Sequence, residues 1–456
     1  MPKISKTKSA PKLAHKTHEA PHVQEDAGAK KHPRTPQLVR GMKDILPYET
    51  PWWDLLYARV ADIGVSYGFE RIETPVVEET ALFARSIGKD TDIVEKEMYA
   101  ITDTEGEKLV LRPENTASIV RAYINHGMLN LTQPVKLWYW GPMFRHERPQ
   151  SGRYRQFHQF GFEVLGDESP IVDAELILIA YNVYKNLGIN TSIQINSIGC
   201  GKCRGAYHQS LIAYYRTVRH EMCENCRRRL QKNPLRALDC KEPQCQPLKK
   251  DAPHFVDYLC EPCKEHFLSV LEYLDELELP YFLNHSLVRG LDYYNRTVFE
   301  LYAAGEEEGS QSALGGGGRY DGLAEILGGR PTPACGFAQG CERAILKMKE
   351  IEALKPPADI VHIFVAQIGN QAKSKALKLF ENLRAAGITV AHNLSKNGLR
   401  PQLEIANKLG VRYSLVIGQK EVQDETVIIR DMESGGQESI GFNKAANDLK
   451  KKLGLS

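Results

Sequence analysis

The chain of 456 residues lacks long hydrophobic runs. No apolar stretch approaches the roughly 20 residues that span a bilayer, which excludes a helical membrane protein. An excess of one charge is also lacking, because 59 basic and 57 acidic side chains leave a formal net charge of +2. A global attraction to nucleic acid is therefore excluded, and any RNA contact must come from local patches. The length is sufficient for two or three domains, each with its own core.

The first 36 residues lack a hydrophobic centre, so we expect no signal peptide there. They are rich in Lys, Pro, Ala and His and cannot bury a core, which predicts a disordered basic tail over 1–36. The tail holds four histidines that could bind a metal or a phosphate backbone, although a solvated tail is the preferred interpretation: His15, His18, His22 and His32. We expect a cytoplasmic protein.

Cysteine is scarce outside one segment, predicted as an insertion over 196–265. Eight of the ten cysteines form four pairs there: Cys200/Cys203, Cys223/Cys226, Cys240/Cys245 and Cys260/Cys263. The first two pairs read C-x₂-C-x₁₉-C-x₂-C, which is within the spacing of tetrathiolate zinc sites. Disulfides are not expected in a cytosolic protein. The pattern favours zinc, in two sites that could be sequential or interleaved.

The richest stretch is 141–166, GPMFRHERPQSGRYRQFHQFGFEVLG, which predicts two strands joined by a basic loop. On the outgoing strand Arg145 and Glu147 share one face. On the return strand one face is apolar and can bury against helices. The other face carries Phe157, Gln159, Gly161 and Glu163. This face combines charged groups, an amide and an aromatic ring with a glycine that leaves room for a ligand. The combination predicts that the face forms the floor of a substrate-binding site.

Other segments give a mixed α and β pattern. We predict a helix with Thr50 as N-cap and a strand that holds Pro75, followed by a helix. Residues 108–128 predict strand, turn and helix, with Asn115 or Thr116 as the cap. Residues 287–302 and 313–329 predict strands and Gly-rich turns.

Two further units are predicted towards the end of the chain, a strand–helix segment and an α/β unit. CGFAQGCERAILKM (335–348) indicates a strand entering a helix. After the linker 354–359, strands and helices alternate, which predicts a parallel sheet, and a late hairpin and a terminal helix follow.

The 141–166 stretch resembles motif 2 of the class II aminoacyl-tRNA synthetases, in its histidyl-tRNA synthetase form. YGFERIETPVVEETALFARSIG (67–88) and CGFAQGCERAILKM resemble motifs 1 and 3, while LVRGLDYYNRTVFE and LGGGGRYDGL resemble the two histidyl motifs. The resemblance covers nearly all of the chain after its first three dozen residues. It implies an α+β catalytic domain over 37–355, with an antiparallel sheet flanked by helices, and a C-terminal α/β anticodon-binding domain over 356–456. It also implies a homodimer.

The resemblance implies that L-histidine is activated with ATP and Mg²⁺ and transferred to the 3′ end of histidine tRNA. The implied catalytic residues are Arg145 and Arg289. The implied ATP-binding residues are Arg145, Glu147, Phe157 and Arg343. The implied histidine-binding residues are Glu114, Thr116, Gln159, Glu163, Arg289, Tyr293 and Tyr294. Arg148 and Gln150 are implied at the tRNA acceptor end. Many family members lack the paired cysteines, which implies that zinc bound there would be structural, holding the insertion together, and not catalytic.

Two alternatives have a different function. One is a non-catalytic paralogue that acts as a regulatory subunit of histidine biosynthesis, and the other is a tRNA-sensing binding module. Regulatory paralogues usually lack the C-terminal domain and parts of the signature. The presence here of Arg145, Arg289 and Arg343 together with the C-terminal unit favours the enzyme.

Overall fold

The computed structural model describes residues 35–88, 91–305, 313–351, 354–356 and 361–455. The tail predicted over 1–36, with its four histidines, lies almost entirely outside them. Across these described ranges, no helix has both the length and the apolar character needed to cross a bilayer.

Strands of the larger unit form two sheets. They are β1 Glu70–Arg71, β2 Val77–Glu79, β3 Tyr99–Thr102, β4 Lys108–Leu111, β5 Val135–Phe144, β6 Gln156–Leu165, β7 Thr191–Ser197, β8 Tyr281–Leu283, β9 Asn295–Ala303, β10 Gly315–Arg319 and β11 Ala334–Gly340. Eight of them form one sheet in the order β1-β5-β6-β11-β10-β9-β7-β8. Its pairs are antiparallel except β1 with β5 and β7 with β8. A small antiparallel sheet has the order β2-β4-β3.

Helices cover both faces of the large sheet. They are α1 Thr50–Ser66, α2 Thr80–Ser86, α3 Thr116–Asn125, α4 Pro170–Asn186, α5 Gly201–Thr217, α6 Glu224–Lys232, α7 Gln246–Lys250, α8 Glu261–Glu276, α9 Leu323–Ile326 and α10 Cys341–Ile351. One core contains Phe160, Phe162 and Val164 of β6 with buried side chains of α1, α4, α8 and α10. The apolar face predicted for the return strand is therefore confirmed, and its polar face is left for the site.

The C-terminal unit has its own sheet and core. Its elements are β12 Ile363–Gln367, α11 Asn370–Ala385, β13 Val390–His392, α12 Leu399–Lys408, β14 Tyr413–Ile417, α13 Gln419–Asp424, β15 Thr426–Asp431, β16 Gln437–Gly441 and α14 Phe442–Leu453. The order is β13-β12-β14-β15-β16, in which the first three strands are parallel and the last two form an antiparallel hairpin. The predicted parallel sheet, hairpin and terminal helix are confirmed, and the boundary at 355/356 stays a prediction.

Three predicted element boundaries were wrong. Helix α1 starts at Thr50 itself and Glu49 is the capping residue, since the Thr50 hydroxyl donates to Pro47 O instead. Pro75 lies between β1 and β2 and not within a strand. Proline has no N–H to give to a ladder, and the chain changes sheets at this point. The outgoing strand β5 ends at Phe144, because the His146 N–H bonds to Glu97 O and leaves the hairpin ladder.

The glycine run and the segment before β9 also differ from prediction. Gly315–Gly318 belong to strand β10 and do not form a turn. A Cβ on Gly317 would lie 2.1 Å from Gly336 O, so these strands pack too closely for side chains. Residues 287–294 are irregular, because Asp292 N–H bonds to Ile87 O outside any ladder. Tyr293 and Tyr294 therefore lie in a loop, the 287–294 loop, and not in a strand.

Candidate active site

A cleft of about 410 Å³ opens over the centre of the large sheet. Ten of the predicted site residues line it: Glu114, Thr116, Arg145, Glu147, Phe157, Gln159, Arg289, Tyr293, Tyr294 and Arg343. They come from the start of α3, the ends of β5 and β6, the 287–294 loop and α10. Glu163 lies beneath the lining, and Arg148 and Gln150 are exposed outside it. Carboxylate and hydroxyl groups thus line one side of the cleft. Arginines from three separate elements line the rest of it.

Glu114 caps helix α3 with its side chain. Its carboxylate accepts from the backbone N–H of Thr116 at 2.7 Å and of Ala117 at 3.0 Å. The prediction of Asn115 or Thr116 as the cap is confirmed for Asn115, which occupies the N-cap position although its own side chain makes no capping hydrogen bond. Asn115 Oδ1 instead accepts from the Thr74 hydroxyl and from Arg112. Burial raises the pKa of Glu114, although the helix amides oppose this. A carboxylate at a helix N-terminus is held in a fixed orientation.

Glu163 is fully buried on β6, with both carboxylate oxygens occupied. Thr116 Oγ1 donates to Oε1 over 2.8 Å, and the Tyr320 hydroxyl donates to Oε2. Burial raises the pKa of Glu163 to about 8, although the two hydroxyl donors lower it. The carboxyl group is therefore close to its protonation point near neutral pH.

Glycines frame Glu163 without leaving open space above β6. A Cβ on Gly336 of β11 would lie 1.6 Å from Glu163 Oε2. A Cβ on Gly161 would lie 2.6 Å from the Tyr139 ring. The predicted glycine gap is therefore filled by Tyr139 of β5 and does not hold open space. Two polar atoms here, the Tyr139 hydroxyl and Gln159 Oε1, are buried and have no hydrogen-bond partner among the described residues.

Arg145 and Glu147 face Phe157 at the end of the hairpin. Arg145 Nε donates to Pro113 O over 2.9 Å, and its guanidinium carbon lies 5.4 Å from the Phe157 ring centroid. Glu147 lies between two arginines, at 3.8 Å from Arg145 Nη1 and 3.4 Å from Arg153 Nη1. This gives one cleft wall a flat ring, a bound guanidinium and a carboxylate acceptor.

Arg289 projects from the 287–294 loop and pairs with Glu300 of β9. The Tyr302 hydroxyl donates to the other Glu300 oxygen. Burial acts to lower the pKa of Arg289, but Glu300 raises it, so the guanidinium stays charged. Its carbon lies 5.5 Å from the Tyr294 ring centroid, and its Nε is buried without a hydrogen-bond partner among the described residues.

Arg343 stands in the first turn of α10, behind Gly340. Its Nε donates to Gly152 O over 3.4 Å, and its Nη1 donates to Ala313 O. Burial and the nearby Arg153 lower the pKa of Arg343. Two cations crowded into one end of the cleft favour an anion there.

The loop 148–156 turns back on itself between Gln150 and Arg153, which exchange two backbone hydrogen bonds of 3.2 and 2.9 Å. Arg155 anchors the loop from below, since its N–H bonds to Gly41 O over 2.7 Å. Arg148 is left exposed at the rim beside the cleft. A basic, exposed loop is suited to contact phosphates.

The cysteines form two nested groups of four. Cys200, Cys203, Cys260 and Cys263 make the outer group, and Cys223, Cys226, Cys240 and Cys245 make the inner group. Along the chain, the outer pairs thus enclose the inner ones, whereas sequential or interleaved sites were expected. The first two pairs, Cys200/Cys203 and Cys223/Cys226, therefore do not share a site. All ten cysteines are free thiols.

Sequence reasoning missed several cleft residues. Glu300, which lines the cleft, and Tyr320, which is buried against Glu163, were quoted within motifs but given no role, although Tyr320 directly follows the glycine run. Arg236 and Asp239 come from the cysteine-rich insertion and also line the cleft. Sequence spacing gave no signal for them, because their nearness to the cleft depends on how the insertion folds back.

Comparison with known proteins gives matches over most of the chain. A family model described as Histidyl-tRNA synthetase matches residues 41–200 and 243–344, and one described as Anticodon binding domain matches 362–452. Similar curated proteins include the histidine–tRNA ligases of Dehalococcoides mccartyi and Pelotomaculum thermopropionicum. They are 46% and 45% identical, each over 91% of this chain and over 100% and 97% of their own lengths. A crystal structure of apo S. aureus histidyl-tRNA synthetase is similar with TM-score 0.76 and 35% identity, covering 91% of this chain and 100% of that one.

Proposed function

Since the chain belongs to the histidyl-tRNA synthetase family, we propose that its cleft joins L-histidine to ATP and then to histidine tRNA. The chain is thus an ATP-dependent histidine–tRNA ligase. In the first step a histidine carboxylate oxygen bonds to the α-phosphorus of ATP, and the bond to pyrophosphate breaks. In the second, a terminal ribose hydroxyl of the tRNA bonds to the histidyl carbonyl carbon, and AMP leaves.

The observation that carries the proposal is the meeting of three arginines in one cleft. Arg145, Arg289 and Arg343 come from the hairpin, the 287–294 loop and α10, and all three line it. Phosphoryl and nucleotidyl transfer depends mainly on positioning and on stabilising negative charge. We assign Arg145 and Arg289 to the α-phosphate and the histidine carboxylate. Arg343 is assigned to the terminal phosphate of ATP.

Histidine is assigned to the acidic side of the cleft. Its ammonium group would be held by Glu114, Thr116 and Gln159, whose free Oε1 supplies an acceptor. Its imidazole would lie against Glu163 and Tyr294, with Tyr293 beside them. Tyr293 already donates to Glu114 Oε2 over 3.5 Å, which joins the two halves of this subsite. A pocket with buried polar partners rejects analogues that lack the matching groups by about 10⁴-fold or more.

ATP is assigned to the opposite wall. Phe157 would stack on the adenine ring, and Glu147 would accept from its amino group. ATP would bind together with Mg²⁺, a hard cation that takes oxygen ligands. When bound, Mg²⁺ offsets negative charge on the phosphate oxygens.

The remaining partners are assigned from the resemblance. Arg148 and Gln150 would contact the tRNA acceptor end, and the unit 356–456 would bind the anticodon. Motif 1 would lie at a homodimer interface, and the exposure of Val77 on β2 supports an apolar contact there. Free thiols throughout support a cytoplasmic location.

Structural zinc is the proposed occupant of both cysteine groups. Zn–S bonds of about 2.3 Å in a tetrahedron place the sulfurs about 3.8 Å apart. The Sγ–Sγ distances are 3.7 Å for Cys200–Cys203, 3.9 Å for Cys200–Cys260 and 3.8 Å for Cys223–Cys240. Backbone N–H groups also donate to Cys203, Cys223 and Cys245 sulfurs, as they commonly do around bound thiolates. Metal analysis should give about two zinc ions per chain.

The test of the function is histidine-dependent exchange of pyrophosphate into ATP, followed by charging of histidine tRNA. Both reactions are expected. A regulatory subunit would show neither, and a tRNA-sensing module would bind tRNA without exchange. No observation in the cleft favours those alternatives.

A further inference from the structure

The inner cysteine group brackets a segment that reaches the cleft. Helix α6 starts directly after Cys223, and the short helical turn Pro234–Ala237 precedes Cys240. Between these cysteines lie Arg236 and Asp239, which line the same cleft as Arg289. The segment 223–240 of the insertion therefore forms one wall of the cleft, and we call it the wall.

Three polar contacts join this wall to the catalytic body. Arg236 Nη2 donates to Gly290 O over 2.6 Å, directly beside Arg289. Asn233 Nδ2 donates to Asp292 Oδ1 over 3.1 Å. Earlier in the chain, within α6, Arg229 Nη2 donates to both carboxylate oxygens of Asp92, at 3.0 Å to Oδ1 and 2.7 Å to Oδ2. Two of these three contacts fall on the 287–294 loop.

The outer group reaches the other end of the same loop. Arg204 follows Cys203 in the first turn of α5, and its Nη2 donates to Tyr294 O. The 287–294 loop has no regular secondary structure, and Asp292 N–H to Ile87 O ties its middle to the body. Side chains next to each cysteine group therefore hold the loop at Gly290 and at Tyr294.

Apolar packing fixes one side of the wall, because Leu230, Ala237 and Leu238 are buried in one core with side chains of α5. Regular structure adds little, since helix α6 has nine residues and each element between α6 and α8 has five or fewer. Segments of fewer than about 40 residues usually need metals, disulfides or a partner to fold stably. The cysteines are not bridged by disulfides. A metal in the inner group would supply the missing cross-link.

We propose that a zinc ion in the inner cysteine group holds Arg236 against Gly290 and thereby positions Arg289 and the tyrosines for histidine. The proposal rests on the proposed function, because it assigns the loop to the amino acid. Arg236 acts as a positioning residue, and zinc acts through it without touching the substrate. Loss of either should weaken histidine binding more than ATP binding, because Phe157 and Arg343, which are assigned to ATP, lie on β6 and α10 and not on the 287–294 loop.

The experiment compares Arg236→Ala, Arg236→Lys and Cys240→Ser with wild type in pyrophosphate exchange. The matched control is Arg228→Ala, which removes an exposed arginine from the same helix α6. For each variant we would measure zinc per chain, KM for histidine, KM for ATP, kcat, and the rise in melting temperature on adding histidine alone. The last readout reports binding without catalysis.

For Arg236→Ala we expect zinc content to stay at the wild-type value and KM for histidine to rise on the order of tenfold, the cost of a lost charged hydrogen bond. KM for ATP and kcat should change less, and Arg236→Lys should recover part of the loss because it keeps the charge. Cys240→Ser should lose about half of the zinc and raise KM for histidine similarly. The control should match wild type.

Arg236→Ala with unchanged KM for histidine would overturn the proposal, as would equal rises in both KM values. Zinc-free wild-type protein would overturn the role of the metal. If Cys240→Ser does not fold, Arg236→Ala and Arg236→Lys still decide the contact. Wild type without histidine-dependent exchange would refute the proposed function instead, so the two failures are distinguishable.

Discussion

The hydroxyl of Thr116 donates to Glu163 Oε1 over 2.8 Å and so joins the first turn of α3 to strand β6. Tyr320 occupies the other oxygen, and Glu114 caps the same helix turn. The acidic side of the cleft is thus one hydrogen-bonded unit built from three distant parts of the chain. Substitutions that disturb this unit should weaken histidine binding more than ATP binding.

The raised pKa of Glu163 predicts a dependence of stability on pH. The folded-state pKa of about 8 lies above the ordinary value of 4.5, so this group's contribution is fully present below pH 4.5 and is lost as the pH rises through 8. Glu163→Gln keeps the protonated shape at every pH. The free energy of unfolding of wild type should therefore fall relative to that of Glu163→Gln, by up to about 1.4 kcal/mol per pH unit in this window. Denaturant titrations without ligand would measure it, and a constant difference would contradict the assignment.

Gly336→Ala and Glu163→Ala should both remove histidine activation, while the fold is retained. The new Cβ would meet Glu163 Oε2 at 1.6 Å and displace the carboxylate from its donors. Exchange should fall about 10²-fold or more, with unfolding still cooperative. Gly322→Ala is the control, because a Cβ there meets nothing within 4 Å. Normal exchange by Gly336→Ala would argue against the assignment of Glu163.

Arg289→Lys should lower kcat for adenylate formation although the charge is kept. An ammonium group cannot hold Glu300 and two substrate oxyanions as a planar guanidinium can. We expect a loss of about 10²-fold in exchange. Arg384→Lys, at an exposed pair with Glu381, should be silent. Equal activity of the two variants would rule out a catalytic role for Arg289.

Phe157→Leu should raise KM for ATP by about tenfold, since base–aromatic stacking is worth about 1–3 kcal/mol. The change also removes the ring beneath Arg145, so kcat should fall too. Phe157→Tyr keeps the ring and should stay near wild type. A change in KM for histidine alone would contradict the division of the cleft.

Arg148→Ala and Gln150→Ala should reduce charging of histidine tRNA and leave pyrophosphate exchange intact. Both side chains lie outside the cleft lining on an exposed loop. Removing a phosphate contact also weakens the salt dependence of tRNA binding, which Arg148→Ala should show. A parallel loss of exchange would mean that the loop acts on adenylate formation.

Elements were predicted best from the alternation of apolar and polar side chains and from the order of strands and helices along the chain. The alternation Phe160, Phe162, Val164 identified the buried face of β6, and the order of elements after residue 361 predicted the second sheet. Glycines misled the prediction, because Gly315–Gly318 suggest a turn in isolation. Only their neighbours β9 and β11 show that they form a strand in which side chains have no room.

Within the site, motif residues were brought together as predicted, and residues from unrelated segments were missed. Arg145, Arg289 and Arg343 line one cleft, which local pattern and resemblance could indicate. Arg236 reaches it because the insertion folds back towards the cleft, which sequence spacing does not reveal. The nested pairing of cysteines was equally hidden, since it depends on the path of the chain between pairs.

The closure of the insertion at its base has a consequence for how this protein can vary. The sulfurs of Cys200 and Cys260 lie 3.9 Å apart, so the chain leaves the large sheet after β7 and returns to α8 at one point. The segment between them therefore starts and ends at one place on the large sheet. Changes of length in its exposed turns would leave the ends of β7 and α8 in place, provided that its buried core and the arginines that reach Gly290 and Tyr294 are kept. A metal ion bound by the four thiols at this point would hold the two ends of the segment together.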